Sequence, residues 1–185
     1  MLTVNEIFHS VQGESTRAGV RCVFVRLTAC DLRCSWCDTP YAFHEGRKMS
    51  IQEVMDTVAS YECPTVELTG GEPLLQKDVY PLMTALLDTG HTVLIETGGH
   101  VNIGQVPDRV IKIVDVKCPG SGEAHRMDWD NLSRLAAARA GDAACRVRIS
   151  FNLSSSLKNQ PITATSATKS WAWRTARGSC TCPTT

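Results

Sequence analysis

Along residues 22–140 the apolar positions switch between short solid runs and helical spacing, and that alternation predicts the fold. Cys22-Val-Phe-Val-Arg-Leu27 is rich in β-branched and aromatic residues, which predicts a buried strand whose one charge is Arg26. A charge inside such a run is costly unless paired, so Arg26 faces a partner carboxylate or awaits one on a ligand. Ser50 and Glu53 form a capping box ahead of Val54, Val58 and Tyr61, predicting a helix over 50–61. A strand over 65–69 follows, then a helix over 79–89 with Leu82, Leu86 and Leu87 on one face and Gly90 as its stop. Strands over 92–97 and 110–116 come next. An amphipathic helix over 128–140 ends the series, with Leu132, Leu135 and Ala136 inward and Gly141 as its stop.

Strands alternating with helices at this pitch predict right-handed βαβ units around a parallel sheet, an α/β fold. Each unusual loop directly follows a strand: the cysteine-rich 28–39, Gly70-Gly71-Glu72-Pro73, Glu96-Thr97-Gly98-Gly99, and Lys117-Cys-Pro-Gly-Ser-Gly122. In a parallel sheet all strand C-termini lie along one edge, so the four loops are expected to converge on one face. Ahead of them, residues 3–14 begin as an extended segment and end in the polar turn Gln12-Gly13-Glu14. An amide, a bare backbone and a carboxylate suit the donor and acceptor edge of a heterocycle, although bland turns of this composition are common.

The periodicity fails beyond residue 143. Arg146–Leu153 alternates like one more strand, but Ser154–Thr185 keeps no period of 2 or 3.6 and reads as disordered. Charge breaks at the same place: net charge is −6 over residues 1–143 and +6 over 144–185, a segment without Asp or Glu that holds 14 Ser and Thr. This divides the chain into a core, 1–143, and an atypical basic tail, 144–185. The 185-residue length suits one domain, and no apolar run approaches the roughly 20 residues of a membrane span. Nine cysteines without an export signal point to the cytoplasm and to metal or catalytic use rather than disulfides. The basic excess lies wholly in the tail, so direct nucleic-acid binding is not expected.

Cys30, Cys34 and Cys37 carry the chemistry. Three thiols within one loop can grip a compact centre that keeps one position open, whereas a structural zinc site wants four ligands. The alternative is a zinc loop borrowing Asp38, His9 or His44 as fourth ligand. Asp38, Thr39 and Pro40 close the loop, and Pro40 is expected to prevent an early helix. Cys22, Cys63, Cys118 and Cys145 read as buried small residues. Cys180 and Cys182 are too weak a pattern for a metal site.

The Cys-x3-Cys-x2-Cys spacing, with Trp36 before the last cysteine, resembles the radical S-adenosylmethionine superfamily. Gly70-Gly71-Glu72-Pro73 resembles that superfamily's Gly-Gly-Glu-Pro motif. More narrowly, Glu6–Glu14, Arg26, the cysteine loop through Asp38-Thr39, Thr69–Leu75, Glu96-Thr97 and Asp115–Glu123 resemble the 7-carboxy-7-deazaguanine synthase family. The resemblance covers about residues 3–143. It implies a partial, pruned (βα) barrel that rearranges 6-carboxy-5,6,7,8-tetrahydropterin to 7-carboxy-7-deazaguanine with loss of ammonia, in queuosine and 7-deazapurine biosynthesis. It also implies a 4Fe–4S cluster on Cys30, Cys34 and Cys37, and Mg²⁺ on Thr39. The S-adenosylmethionine pocket would comprise Trp36, Asp38, Gly71, Glu72, Asp115, Val116 and Lys117, and the substrate site Val11, Gln12, Gly13, Glu14, Arg26 and Thr69. A flavodoxin- or ferredoxin-type electron donor and a homodimer are implied as well. An activase of the glycyl-radical kind and an inactive remnant are the other readings. The family continues with a Lys-Phe-Val-Ile-like strand, a Ser-Pro loop and a final helix. None of these is legible after Ala143, and the tail reads as translation in a shifted frame.

Overall fold

The computed structural model describes residues 1–13, 17–141 and 147–150. The expected boundary near Ala143–Arg146, the disorder expected over Ser154–Thr185, and Glu14, Cys145, Cys180 and Cys182 all fall outside the described residues.

The elements run β1 (Leu2–Val11), β2 (Arg21–Leu27), β3 (Arg47–Met49), α1 (Ile51–Ala59), β4 (Thr65–Gly70), α2 (Val79–Asp88), β5 (Thr92–Thr97), β6 (Ile111–Asp115), α3 (Trp129–Gly141) and β7 (Val147–Ser150). The seven strands form one sheet in the order β3-β1-β2-β4-β5-β6-β7. Neighbours from β2 to β7 pair in parallel. The expected parallel sheet is thus present, open rather than closed, with two antiparallel strands added at one end, where β1 pairs with β2 and with β3. The segment expected to begin at residue 3 is a ten-residue strand. β7 lies within the expected strand Arg146–Leu153 and pairs with β6 from Lys112↔Val147 to Asp115↔Ser150.

Alternation along the strands separates two faces. Val23, Val25, Leu27, Val66, Leu68, Val93, Ile95 and Val114 join Val54 and Val58 of α1 and Leu82, Met83 and Leu86 of α2 in the core. Each such large apolar side chain contributes on the order of 1.5–3 kcal/mol by leaving water. α1 begins as its sequence requires: Glu53 N donates to Ser50 Oγ at 3.2 Å, and Ser50 N donates to Glu53 Oε2 at 2.7 Å.

Two expectations are corrected. Ala136 does not face inward on α3; it is exposed, while Leu135 and Asn131 are buried. The face is rotated because the Asn131 amide donates to Gly99 O (3.1 Å) and Val101 O (2.8 Å) and accepts from Ile103 N (3.1 Å). Pro40 does not prevent helical structure either, because a 3₁₀ turn spans Pro40–Phe43. Proline is tolerated at a first helical position, where the missing N–H would have had no partner anyway.

Candidate active site

The loops that follow β2, β4, β5 and β6 open onto one cleft of about 760 Å³, on the sheet face opposite the core. The expected convergence is found. Cys30, Cys34, Trp36, Cys37, Asp38 and Thr39 line it from the first loop, Gly71 from the second, Gly98 from the third and Lys117 from the fourth. Gln12, Gly13, Arg26, Thr69 and Asp115 line it as well. Val11 is 55% exposed and not part of this lining, and Glu72 and Val116 are buried behind it.

Close backbone packing positions the cysteine loop. Ala29 has φ = 83°, a left-handed conformation costly for a residue with a Cβ. It is held on both sides: its N–H donates to Ala42 O at 2.9 Å, and its carbonyl accepts from Glu72 N at 2.8 Å. A Cβ on Gly71 would lie 2.6 Å from Cys30 Cβ and 2.7 Å from Ala29 C. One on Gly70 (φ = 138°) would lie 2.6 Å from Leu27 N. These glycines therefore let two loops touch along their backbones, besides leaving carbonyls open to a ligand. Farther along, Arg33 N donates to Glu123 Oε1 at 2.8 Å and Ser35 Oγ to Gly120 O at 2.8 Å, tying the cysteine loop to the loop after β6.

Burial pushes the Cys30 and Cys34 thiols up from their ordinary value. A bound cation would take them as thiolates and release their protons. Burial lowers the Lys117 ammonium, but the hydrogen bond and charge of Asp115 outweigh it, so Lys117 stays above its usual value. Its Nζ donates to Asp115 Oδ2 at 2.5 Å, while the buried Asp115 Oδ1 has no hydrogen-bond partner among the described residues. That orphan acceptor beside the thiols is the kind of atom a bound ligand satisfies.

The donor set fits a cluster. Cys30, Cys34 and Cys37 are free and half-buried, and all three reach the cleft. Thiols spread along one loop suit a polynuclear centre whose irons take one thiolate each.

At the other end, Arg26 answers the question its sequence posed. Its Nε donates to Glu6 Oε1 at 2.8 Å, and its guanidinium lies 5.8 Å from the Phe8 ring centroid and 5.9 Å from that of Tyr41. Thr69 Oγ1 donates to Glu96 Oε2 at 2.9 Å, and Gln12 Nε2 donates to the buried Glu67 Oε2. Glu67 and Glu96 also line the cleft, as do Phe24, Leu32, Phe43 and Ile113. These six were absent from the expected site. For Glu67 the signal was its position two residues before Thr69 on one strand face; for Glu96, its place in the strand-end loop Glu96-Thr97-Gly98-Gly99 that was expected on this face.

The superfamily of radical S-adenosylmethionine proteins has a family model that matches residues 24–118, more than half of the chain, including the loops after β2, β4 and β5 and the start of the loop after β6. The chain belongs to the radical SAM superfamily. This membership implies a 4Fe–4S cluster and S-adenosylmethionine. Among curated proteins, the chain is similar to the 7-carboxy-7-deazaguanine synthase of Koribacter versatilis, 50% identical over 136 residues, 72% of this chain and 60% of the relative. That of Chlorobaculum tepidum is 49% identical over 121 residues, 65% of this chain and 55% of the relative. The chain therefore spans less than two thirds of the length of these relatives. The crystal structure of QueE from Escherichia coli shares the fold, with a TM-score of 0.58 and 23% identity, covering 81% of this chain and 84% of that one. Among the described residues no helix of this radical SAM chain is long and apolar enough to cross a membrane.

Proposed function

We propose that the chain performs the reaction of a 7-carboxy-7-deazaguanine synthase, converting 6-carboxy-5,6,7,8-tetrahydropterin to 7-carboxy-7-deazaguanine with loss of ammonia. The observation that supports it is a single cleft joining three thiols at one end to the Gln12, Arg26 and Thr69 floor at the other. The volume is within the range of small-molecule sites.

Cys30, Cys34 and Cys37 would hold the cluster, which when reduced in the presence of S-adenosylmethionine supplies the one-electron chemistry that starts hydrogen abstraction from C6 of the pterin. The chain's own groups bind and orient. Trp36, Asp38, Gly71, Asp115 and Lys117 border the S-adenosylmethionine end, with Asp115 Oδ1 open to a donor. Glu72 and Val116 would support that end from behind the lining. Arg26 would take the substrate carboxylate while Glu6 holds its Nε, leaving the terminal nitrogens for charge-assisted bonds. Gln12, Gly13, Thr69 and, beyond the described residues, Glu14 would read the ring edge; Val11 would contribute backbone. Thr39, whose hydroxyl lies 3.3 Å from Asp38 Oδ1, would offer a hard oxygen to Mg²⁺. A flavodoxin- or ferredoxin-type donor, a homodimer and a cytoplasmic setting belong to the same proposal, as does a division into a radical SAM core over 1–143 and a tail over 144–185.

The test is anaerobic reconstitution of the chain, followed by dithionite, S-adenosylmethionine, Mg²⁺ and the pterin, with product followed by mass. Product from the wild type and none from Cys34→Ala supports the reading; a cluster-loaded wild type that forms no product overturns it. Arg26→Met is expected to raise the KM for the pterin about 10–100-fold with a smaller change in kcat, as loss of a charged hydrogen bond requires. Steady-state kinetics check this.

A further inference from the structure

A buried histidine stands between an exposed acid of the cysteine loop and the buried acid of the Gly-Gly-Glu-Pro loop, and no role above uses it. His100 follows Gly98-Gly99 at the end of β5, and its side chain is 4% exposed. Its Nε2 donates to Asp31 Oδ1 at 2.6 Å, inside the cysteine loop. Its Nδ1 lies 3.6 Å from Glu72 Oε2 and has no hydrogen-bond partner among the described residues.

Both acids are fixed independently. Glu72 is fully buried; its carboxylate accepts from Thr97 Oγ1 (2.9 and 2.8 Å), Leu74 N (3.1 Å) and Gly98 N (2.9 Å). Asp31 accepts from Arg126 at 2.5 Å through both its carboxylate and its carbonyl. The imidazole packs close to the Gly98 backbone, where an added Cβ would come within 3.2 Å of His100 Nδ1 and 3.0 Å of Leu32 Cδ1.

Most buried polar side-chain atoms are hydrogen-bonded, whereas the His100 Nδ1 faces the Glu72 carboxylate without such a bond. His100 spans two acids on the two loops that would hold the cluster and the amino-acid end of S-adenosylmethionine. We infer that His100 is a positioning residue that, beside the direct Ala29–Glu72 backbone contact, fixes how those two loops sit against each other. The inference rests on the proposed assignment of the loops. Partners one step behind metal ligands commonly change affinity or activity about 10–100-fold when removed.

The experiment compares wild type, His100→Ala, His100→Gln and Arg126→Gln. Hydrogen exchange of the apo proteins reads the protection of residues 29–37. Electron paramagnetic resonance of the dithionite-reduced cluster, titrated with S-adenosylmethionine without pterin, reads the separation of the loops. His100→Ala is expected to load iron like the wild type, to exchange faster over 29–37, and to need about 10–100-fold more S-adenosylmethionine for the spectral change. His100→Gln, which can still donate to Asp31, should recover part of this, and Arg126→Gln should shift it less in the same direction. A wild-type titration in both His100→Ala and Arg126→Gln overturns the inference. Arg126 is at the outer end of these contacts, so it carries the test should His100→Ala fail to fold. A wild-type cluster signal that S-adenosylmethionine leaves unmoved would overturn the assignment of the loops instead. The positioning role of His100 then stands or falls on the apo exchange, where unchanged protection in both variants overturns it.

Discussion

Glu72→Ala is expected to destabilise the apo protein by about 3–5 kcal/mol, a large share of a typical domain's stability. The carboxylate is the common acceptor for Thr97 Oγ1, Leu74 N and Gly98 N, and its removal leaves these donors facing a small cavity. Each unsatisfied buried group costs about 1–3 kcal/mol. Thermal unfolding should fall by roughly 10 °C, at about 2–4 °C per kcal/mol for a chain of this length. Glu72→Gln, which keeps one acceptor oxygen, should lose less. Equal melting of wild type and Glu72→Ala would show that the carboxylate holds nothing together. The deficit also depends on pH. Burial pushes the Glu72 carboxyl up, against the opposing pull of Thr97, His100 and the two backbone amides. A carboxyl raised in this way binds its proton more tightly in the native state. Its contribution is complete below the unfolded pKa, about 4.3, and is lost as pH rises through the folded value. The gap between wild type and Glu72→Ala should therefore be widest in acid and narrow as pH rises.

Gly71→Ala should strike the cysteine loop rather than the core. The added methyl group would press on Ala29 and on Cys30 Cβ at 2.6 Å, and backbone on that side cannot rotate away. Overpacking of this kind costs about 1–3 kcal/mol. Because the displaced segment holds Cys30, iron retained after reconstitution is expected to fall by about tenfold or more. Gly104→Ala is the control, since the nearest atoms to its Cβ would belong to the Asn102 and Arg134 side chains, away from the cysteine loop. Iron analysis and absorbance of the two variants check the contrast; equal iron in both would mean that the loop contact has no bearing on the thiols.

The sequence carried the strand and helix series because its signals are local. The Ser50–Glu53 box and the solid apolar run of β2 each announce an element without help from the rest of the chain. It carried the site's outline because strand-end loops in a parallel sheet must share an edge. Non-local pairing was harder to see. Only β1, with partners on both sides, explains why three residues at 47–49 form a strand. Asn131 rotated α3 by binding a loop about 30 residues earlier, which no amphipathic count contains. Glu67 looked like an ordinary strand residue until the sheet placed it on the cleft floor, and Glu96, legible as part of a strand-end loop, had no role of its own until then. His100 gave no signal, because its meaning depends on Asp31 and Glu72, distant from it in sequence.

The two-faced sheet also sets which genetic changes the chain can absorb. In β4, Glu67 and Thr69 face the cleft and Val66 and Leu68 the core, and the neighbouring strands keep the same parity. A substitution there alters one face at one point. Insertion or deletion of a single codon within β4 reverses the parity of the rest of that strand, so that it turns polar groups such as Thr69 toward the apolar layer or Leu68 toward the cleft. Length changes in this chain are thus far more dangerous in its strands than replacements of comparable chemistry, and a lineage that keeps the two-faced sheet should vary β4 and β5 in composition but not in length.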